Sequence, residues 1–354
     1  MPPGLAAGRF GKRTGVTLAS TALEPALPTA RGPLSLAVVN LLTERVPRSR
    51  LDRIEASVAD CDPFGIDVQL TLCVCYELHY RGFAGVDPDW EWNPGLLHLR
   101  ARLEDAFLAA VHRAVGDRGG PETIDGEMDR LLGDPVAGSS PSGHLRTPGT
   151  WQQVREYFVH RSLYHLKEGD PHAWALPRLN GQAKASFAAV EFDEFGAGRG
   201  DKVRQQLFAE LMVAADLDPG YLAYLDLVPA EALTVVNLMS LFGLHRRHRG
   251  AAMGHFAATA ITASPGSRRM LAALDRLNAP DPCRDFYRGH AAAAAMHEEA
   301  IRTDVVGDLV GREPDLAVDV VFGMRAFAVM EDRLATHLMR SWGAGDSSLR
   351  HPLN

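Results

Sequence analysis

The sequence predicts an all-α fold. Apolar residues recur at intervals of three and four along most of the 354 residues, the period of a helix with one buried face. Strict apolar–polar alternation of the kind a half-buried strand needs is essentially absent. The breaker clusters DPFG, VDPDWEWNPG, DLDPG and NAPDP fall between the periodic blocks, where they act as connectors.

In chain order, residues 1–33 begin MPPGLAAGRFGKRTG, and Pro and Gly interrupt every apolar run there, so a disordered tail is expected. Periodic blocks over 35–46, 65–80 and 94–115 define a helical N-terminal part spanning 34–132. The Gly/Ser/Pro-rich stretch GDPVAGSSPSGHLRTPG at 133–149 reads as a linker. A larger helical part follows over 150–342, with blocks at 150–168, 178–195, 201–215, 229–264, 266–278, 283–309 and 314–342. Residues 343–354 close the chain as a short tail.

Composition narrows the function. The chain is 46% hydrophobic and 23% charged, enough to bury a large core. No apolar run approaches the roughly 18 residues of a membrane span, and nothing in 1–33 resembles a signal peptide, so a cytoplasmic protein is expected. The net charge of −7 argues against a nucleic-acid or acidic-membrane partner. The basic cluster Arg246, Arg247 and Arg249 beside His245 and His248 reads as a solvated helix face. Cys61, Cys73, Cys75 and Cys283 show no CxxC spacing, and no disulfide is expected.

Four segments could carry chemistry. In SLYHLKEGDPHAWALPRL, Glu168 closes a helix before a turn holding His172 and Trp174. In EFDEFGAGRGDK, Glu191 and Glu194 stand at i, i+3 before a glycine-rich break that lets the helix kink. The GAGRG run lacks the preceding strand and following Lys-Ser/Thr of a phosphate loop. In GHFAATAITAS, His255 sits among small residues, where a hydrogen-bonded core histidine is the simpler reading. His290 and His297, in HAAAAAMH, lie seven residues apart on one helical face, a spacing suited to a metal site in a bundle.

Taken in order, SLYHLKEGDPHAWALPRL, EFDEFGAGRG, GHFAATAITAS and FYRGHAAAAAMHEEA resemble the successive core-helix motifs of the haem-oxygenase-like di-iron oxidases, also called iron-containing redox enzymes. The N-terminal CYELHYRGFAGVDPDWEWNP resembles the accompanying domain of the actinobacterial type, so the likeness covers residues from about 34 to 342. It implies a helical bundle that directs carboxylates and histidines at two non-haem irons, with no haem, to activate dioxygen on a small organic substrate. By position, Glu168 falls on the first carboxylate, Glu194 on the second, and His290 and His297 on the two histidines of the last core helix. The resemblance also implies a His, a Glu and an Asp at positions that here read Arg204, Ala260 and Ala294.

Iron takes imidazole nitrogen and carboxylate oxygen, with at least three protein groups on each metal in a site of this kind. Glu168, Glu194 and His297 remain for one subsite, and only His290 with a shared Glu194 for the other. One iron or none is therefore expected per chain. Arg204 cannot ligate a metal and matches a carboxylate with two parallel hydrogen bonds; turned inward it replaces the cation, turned outward it leaves a mononuclear site. Glu191, Asp193, Glu298 and Glu299 stand at a helical phase different from that of the matched positions. Two function classes follow. One is an iron-dependent, dioxygen-using oxidoreductase of specialised metabolism, working alone as a homodimer or with another subunit. The other is a catalytically inactive relative that binds a ligand or serves as a partner subunit.

Overall fold

A computed structural model describes residues 24–43, 61–116, 123–133 and 140–353. The expectations for 1–23 and 134–139 lie outside the described residues. The chain forms helices α1 (Pro33–Leu42), α2 (Ile66–Glu77), α3 (Pro94–Val115), α4 (Ile124–Leu132), α5 (Pro141–Arg146), α6 (Trp151–His165) and α7 (Asp170–Ala173). These are followed by α8 (Gly181–Glu194), α9 (Arg204–Ala214), α10 (Ala230–Leu244), α11 (Arg249–Arg276), α12 (Asp281–Ala300), α13 (Asp308–Arg312) and α14 (Ala317–Ala344). A π-helical segment, Ile301–Gly307, joins α12 to α13. No strand occurs among the described residues, and the fold is the helical one expected.

Local chemistry sets several helix starts. Asn93 accepts hydrogen bonds from the amides of Gly95 and Leu96 ahead of Pro94, which opens α3. Thr150 and Gln153 form a reciprocal capping box at the start of α6. The periodic block 229–264 is not one helix. It stops at Leu244 because the Arg178 guanidinium binds the carbonyl oxygens of Gly243 and Leu244, replacing the helical amides that would follow. Conversely, α11 runs through Pro265. Proline removes an amide and crowds the preceding turn, but packing of α11 along α12 and α14 holds both flanks in line.

The linker and tail expectations need correction. Within 133–149 the structure contains α5, capped by Ser140 Oγ and packed on α11. Arg276 from α11 donates to the carbonyls of Leu145 and Arg146 at 2.9 and 3.0 Å. Six residues are too few to show a period, so the stretch reads as a loop. The last residues are likewise held. The buried Glu156 carboxylate accepts from Trp342 Nε1 (2.9 Å), Ser347 Oγ (2.7 Å), and the amide and hydroxyl of Ser348 (2.9 and 2.7 Å). At the other end, Arg31 donates to Val228 O at 2.8 Å and Thr29 N to Asp226 at 3.0 Å, so 24–33 is fastened too.

The N-terminal and C-terminal parts share one hydrophobic core. Helix α2 is buried from Val68 through Glu77, apolar nearly all round as a central helix must be, and lies against α10. Its Glu77 carboxylate is buried, ion-paired with Lys167 and hydrogen-bonded by the Tyr221 hydroxyl at 2.5 Å. The four cysteines form no disulfide, and burial pushes the Cys73 and Cys75 thiols up to about 12, far from a reactive thiolate. No described helix is long and apolar enough to cross a membrane.

The tightest junction is between α11 and α14. A methyl on Gly254 would stand 1.9 Å from Val320 O, and one on Gly323 2.1 Å from Ala251 O. At each of the two contacts a glycine of one helix thus meets the backbone of the other. Gly254→Ala is expected to destabilise the fold by at least about 2 kcal/mol through overpacking against backbone. Urea unfolding of the variant beside the parent measures this, and an unchanged midpoint would mean the helices part without cost.

Candidate functional site

Helices α6, α8, α11, α12 and α14, with the start of α9, surround a cavity of about 510 Å³, and Glu168, Glu191, Glu194, Arg204, Ala260, His290, Ala294 and His297 all line it. Glu168 lies just past the end of α6 and is 4% exposed. Its oxygens are engaged by the preceding turn: the Tyr164 hydroxyl donates to Oε1 at 3.1 Å and His165 Nδ1 to Oε2 at 2.8 Å. These are i, i+4 and i, i+3 pairs, the neighbours a helical turn supplies. Burial opposes the charge, but the His165 imidazole and the more distant His290 and Arg204 hold the carboxyl well below its usual range.

The second carboxylate and the arginine are brought together by the glycine-rich break. Rather than kinking one helix, EFGAGRG ends α8 and starts α9 through two short 3₁₀ turns. Gly196 has φ +73, and a Cβ there would meet the backbone of Lys202 and Val203 at 2.7 Å, so the turn closes only without a side chain. Position 204 is thereby returned to position 194. Arg204, 8% exposed, donates Nε to Glu194 Oε2 at 2.7 Å and Nη2 to Oε1 at 3.2 Å, a two-pronged pair. Its guanidinium faces into the cavity lining. Burial and the Glu168 carboxylate push Glu194 up against the pull of Arg204, while Glu194 and Glu168 hold the guanidinium charged.

The histidines diverge. His290 stacks on Phe286 and stands edge-on to His165, with ring centres 5.8 and 5.9 Å apart. Burial pushes it down to about 3, and its Nδ1 is buried without a partner. His297 turns elsewhere, its Nε2 3.0 Å from Asp193 Oδ2. His255 packs between Phe242, His172 and Phe327 as an uncharged core imidazole, pushed down to about 3 by burial.

Ala260 and Ala294 present methyls to the cavity. Among the described residues no group of three or more His, Cys, Asp or Glu side chains is placed to hold a metal. A two-iron centre does not fit these donors: one carboxylate is bound to a guanidinium, one imidazole is turned to Asp193, and two positions offer no donor atom.

The sequence reading aligned Glu168, Glu194, His290 and His297 with ligand positions through the family resemblance, left the direction of Arg204 open, and set Glu191 aside as a substitute ligand on helical phase; all six line the cavity. Glu191, one turn before Glu194, is 2% exposed and lines the same cavity; the i, i+3 spacing carried the signal. Tyr164 and His165 were missed, although they stand four and three residues before Glu168.

Burial, with Glu194, Glu168 and Asp170 nearby, pushes the Glu191 carboxyl from about 4.5 up to about 9. A raised folded-state value means that its contribution to stability is full below pH 4.5 and is lost as pH climbs towards 9. Glutamine mimics the protonated acid. Glu191→Gln should therefore match the parent near pH 4 and exceed its stability by a few kcal/mol at pH 8, as read from denaturant midpoints across pH. A constant difference would place the ionised carboxylate in the fold.

The sequence profile of a family described as iron-containing redox enzyme matches residues 155–332, half of the chain. A search of curated proteins finds no match. Glu168, Glu194, Arg204, Ala260, His290, Ala294 and His297 all fall inside the matched span, and the chain belongs to the iron-containing redox enzyme family.

Proposed function

We propose that this protein is a family member without a two-iron centre, whose bundle cavity binds a small organic ligand. The observation that carries the reading is the two-pronged Arg204–Glu194 pair. A guanidinium stays protonated and cannot donate a lone pair to iron, so it supplies in permanent form the positive charge that a metal would otherwise bring to the carboxylates. Ala260 and Ala294 agree with this reading, since neither adds a carboxylate that would need compensating. The cavity itself is retained, and about 510 Å³ is the size of a small-molecule site.

Family membership alone points to redox chemistry on iron, and a dioxygen-dependent oxidoreductase with a single iron is the competing reading. It requires three free donors on one metal. Glu168 is already held by Tyr164 and His165, Glu194 by Arg204, and His297 lies 3.0 Å from Asp193, which leaves the unpartnered imidazole of His290 short of a set of three. The metal-free reading uses the donors as they stand.

Metal content after anaerobic loading with ferrous iron and desalting tests this: well under one iron per chain is expected. One tightly held iron accompanied by oxygen uptake would establish the oxidoreductase instead. The combined change Arg204→His, Ala260→Glu and Ala294→Asp should restore binding of two irons, because it frees Glu194 and returns the donors that the family resemblance implies at these positions. Arg204→Ala should cost about 3 kcal/mol by leaving buried carboxylates without their cation. Ferrous iron should recover part of that loss by binding the freed oxygens, measured as a shift in melting temperature absent from the parent.

A further inference from the structure

Most charged groups in the cavity lining have partners. Arg161 makes paired hydrogen bonds to Glu331 at 2.7 and 2.6 Å, Glu168 is held by Tyr164 and His165, Glu194 by Arg204, and Arg269 donates to Ser142 at 3.0 Å. Glu191 differs. It is 2% exposed, both carboxyl oxygens are buried, and neither has a hydrogen-bond partner in the chain. Buried polar atoms are rarely left so, and such an atom in a cavity wall needs an explanation.

The charges acting on Glu191 are the carboxylates Glu194, Glu168 and Asp170, so the local potential attracts positive charge. His172 Nε2, like His290 Nδ1, is another buried, unpartnered atom in the same lining. Burial keeps that imidazole uncharged at neutral pH, pushed down to about 4, so it adds no positive charge of its own. Apolar walls are supplied by Val190, Val235, Met239, Phe256, Met270 and Leu338.

We propose that the cavity binds a small organic amine as its ammonium ion, with the charged nitrogen on the Glu191 carboxylate and an apolar body along these walls. The proposal rests on reading the cavity as a metal-free ligand site. On binding, the proton that Glu191 holds in the empty site passes to solvent, and the ammonium supplies the charge that balances the carboxylate.

Calorimetric titration of the full chain in EDTA, with n-hexylamine hydrochloride, hexan-1-ol and sodium hexanoate as probes, tests the assignment. Expected are one hexylammonium bound per chain, at least about tenfold tighter than the alcohol or the carboxylate, and a loss of at least about tenfold in Glu191→Gln with alcohol binding unchanged. Failure of hexylamine to bind overturns the proposal, as does undiminished hexylamine binding by the variant. Equal affinity for hexan-1-ol also overturns it while leaving the metal-free ligand cavity in place. Two irons per chain after ferrous loading overturns that cavity reading and this proposal together.

Discussion

A carboxylate inside a helical bundle has to be answered by a cation, by hydrogen-bond donors or by a proton, because an isolated charge there costs more than the fold can supply. This chain uses all three answers. Glu77 is matched by Lys167, Glu127 by Arg130 and Arg325, and Glu104 by Arg100 and His245. Glu156 is matched by three donors from the C-terminal turn and by Trp342 of α14. In the cavity, Glu194 has a guanidinium, Glu168 an imidazole and a phenol, and Glu191 a proton. The architecture around the cavity is arranged by these matches as much as by apolar contact, since each ties together elements distant in sequence.

Arginines serve the backbone in the same way. Arg178 and Arg276 each place a guanidinium on carbonyl oxygens that have run out of helical partners, and Arg31 does the same for carbonyls of the turn before α10. A fork of donors on a long apolar stem reaches such carbonyls from a neighbouring helix and satisfies two at once. The end of α5, the end of α10 and the entry to α1 are fixed by this device. The resulting frame is stiff where α11 meets α14 at Gly254 and Gly323, and it leaves the cavity open between the helices that bear its polar lining.

The helical class was legible because a period of three and four survives any tertiary arrangement, and α3, α6 and α14 lie close to where that period puts them. What was not legible depended on distant partners. Nothing near His245 announces that Arg178 will end α10 there, and nothing near Pro265 announces that packing will carry α11 through it. Helix α5 and the docked C-terminal turn are too short to show a period, and their stability comes from Arg276 and Glu156. In the cavity, the family resemblance located Glu168, Glu194, His290 and His297 and left the direction of Arg204 open. The direction of a side chain is a property of its surroundings, so the turn of His297 towards Asp193 and of Arg204 towards Glu194 could only be read from the structure.

On the proposed reading, Arg204, Ala260 and Ala294 together form one coherent change in charge. In the arrangement that the family resemblance implies, four carboxylates, at 168, 194, 260 and 294, face two divalent irons. Removing the metals alone would leave four buried acids without cations. Alanine at 260 and 294 removes two of them. Arginine at 204 answers a third, and does so better than lysine would, because its planar fork meets both oxygens of Glu194. A cation in the first turn of α9 is unfavourable beside the helix dipole, a cost that the Glu194 carboxylate offsets by standing at the same helix end. The fourth, Glu168, is held by groups from its own turn, Tyr164 and His165. Glu191 lies outside that balance, and its proton stands where a ligand's charge can replace it.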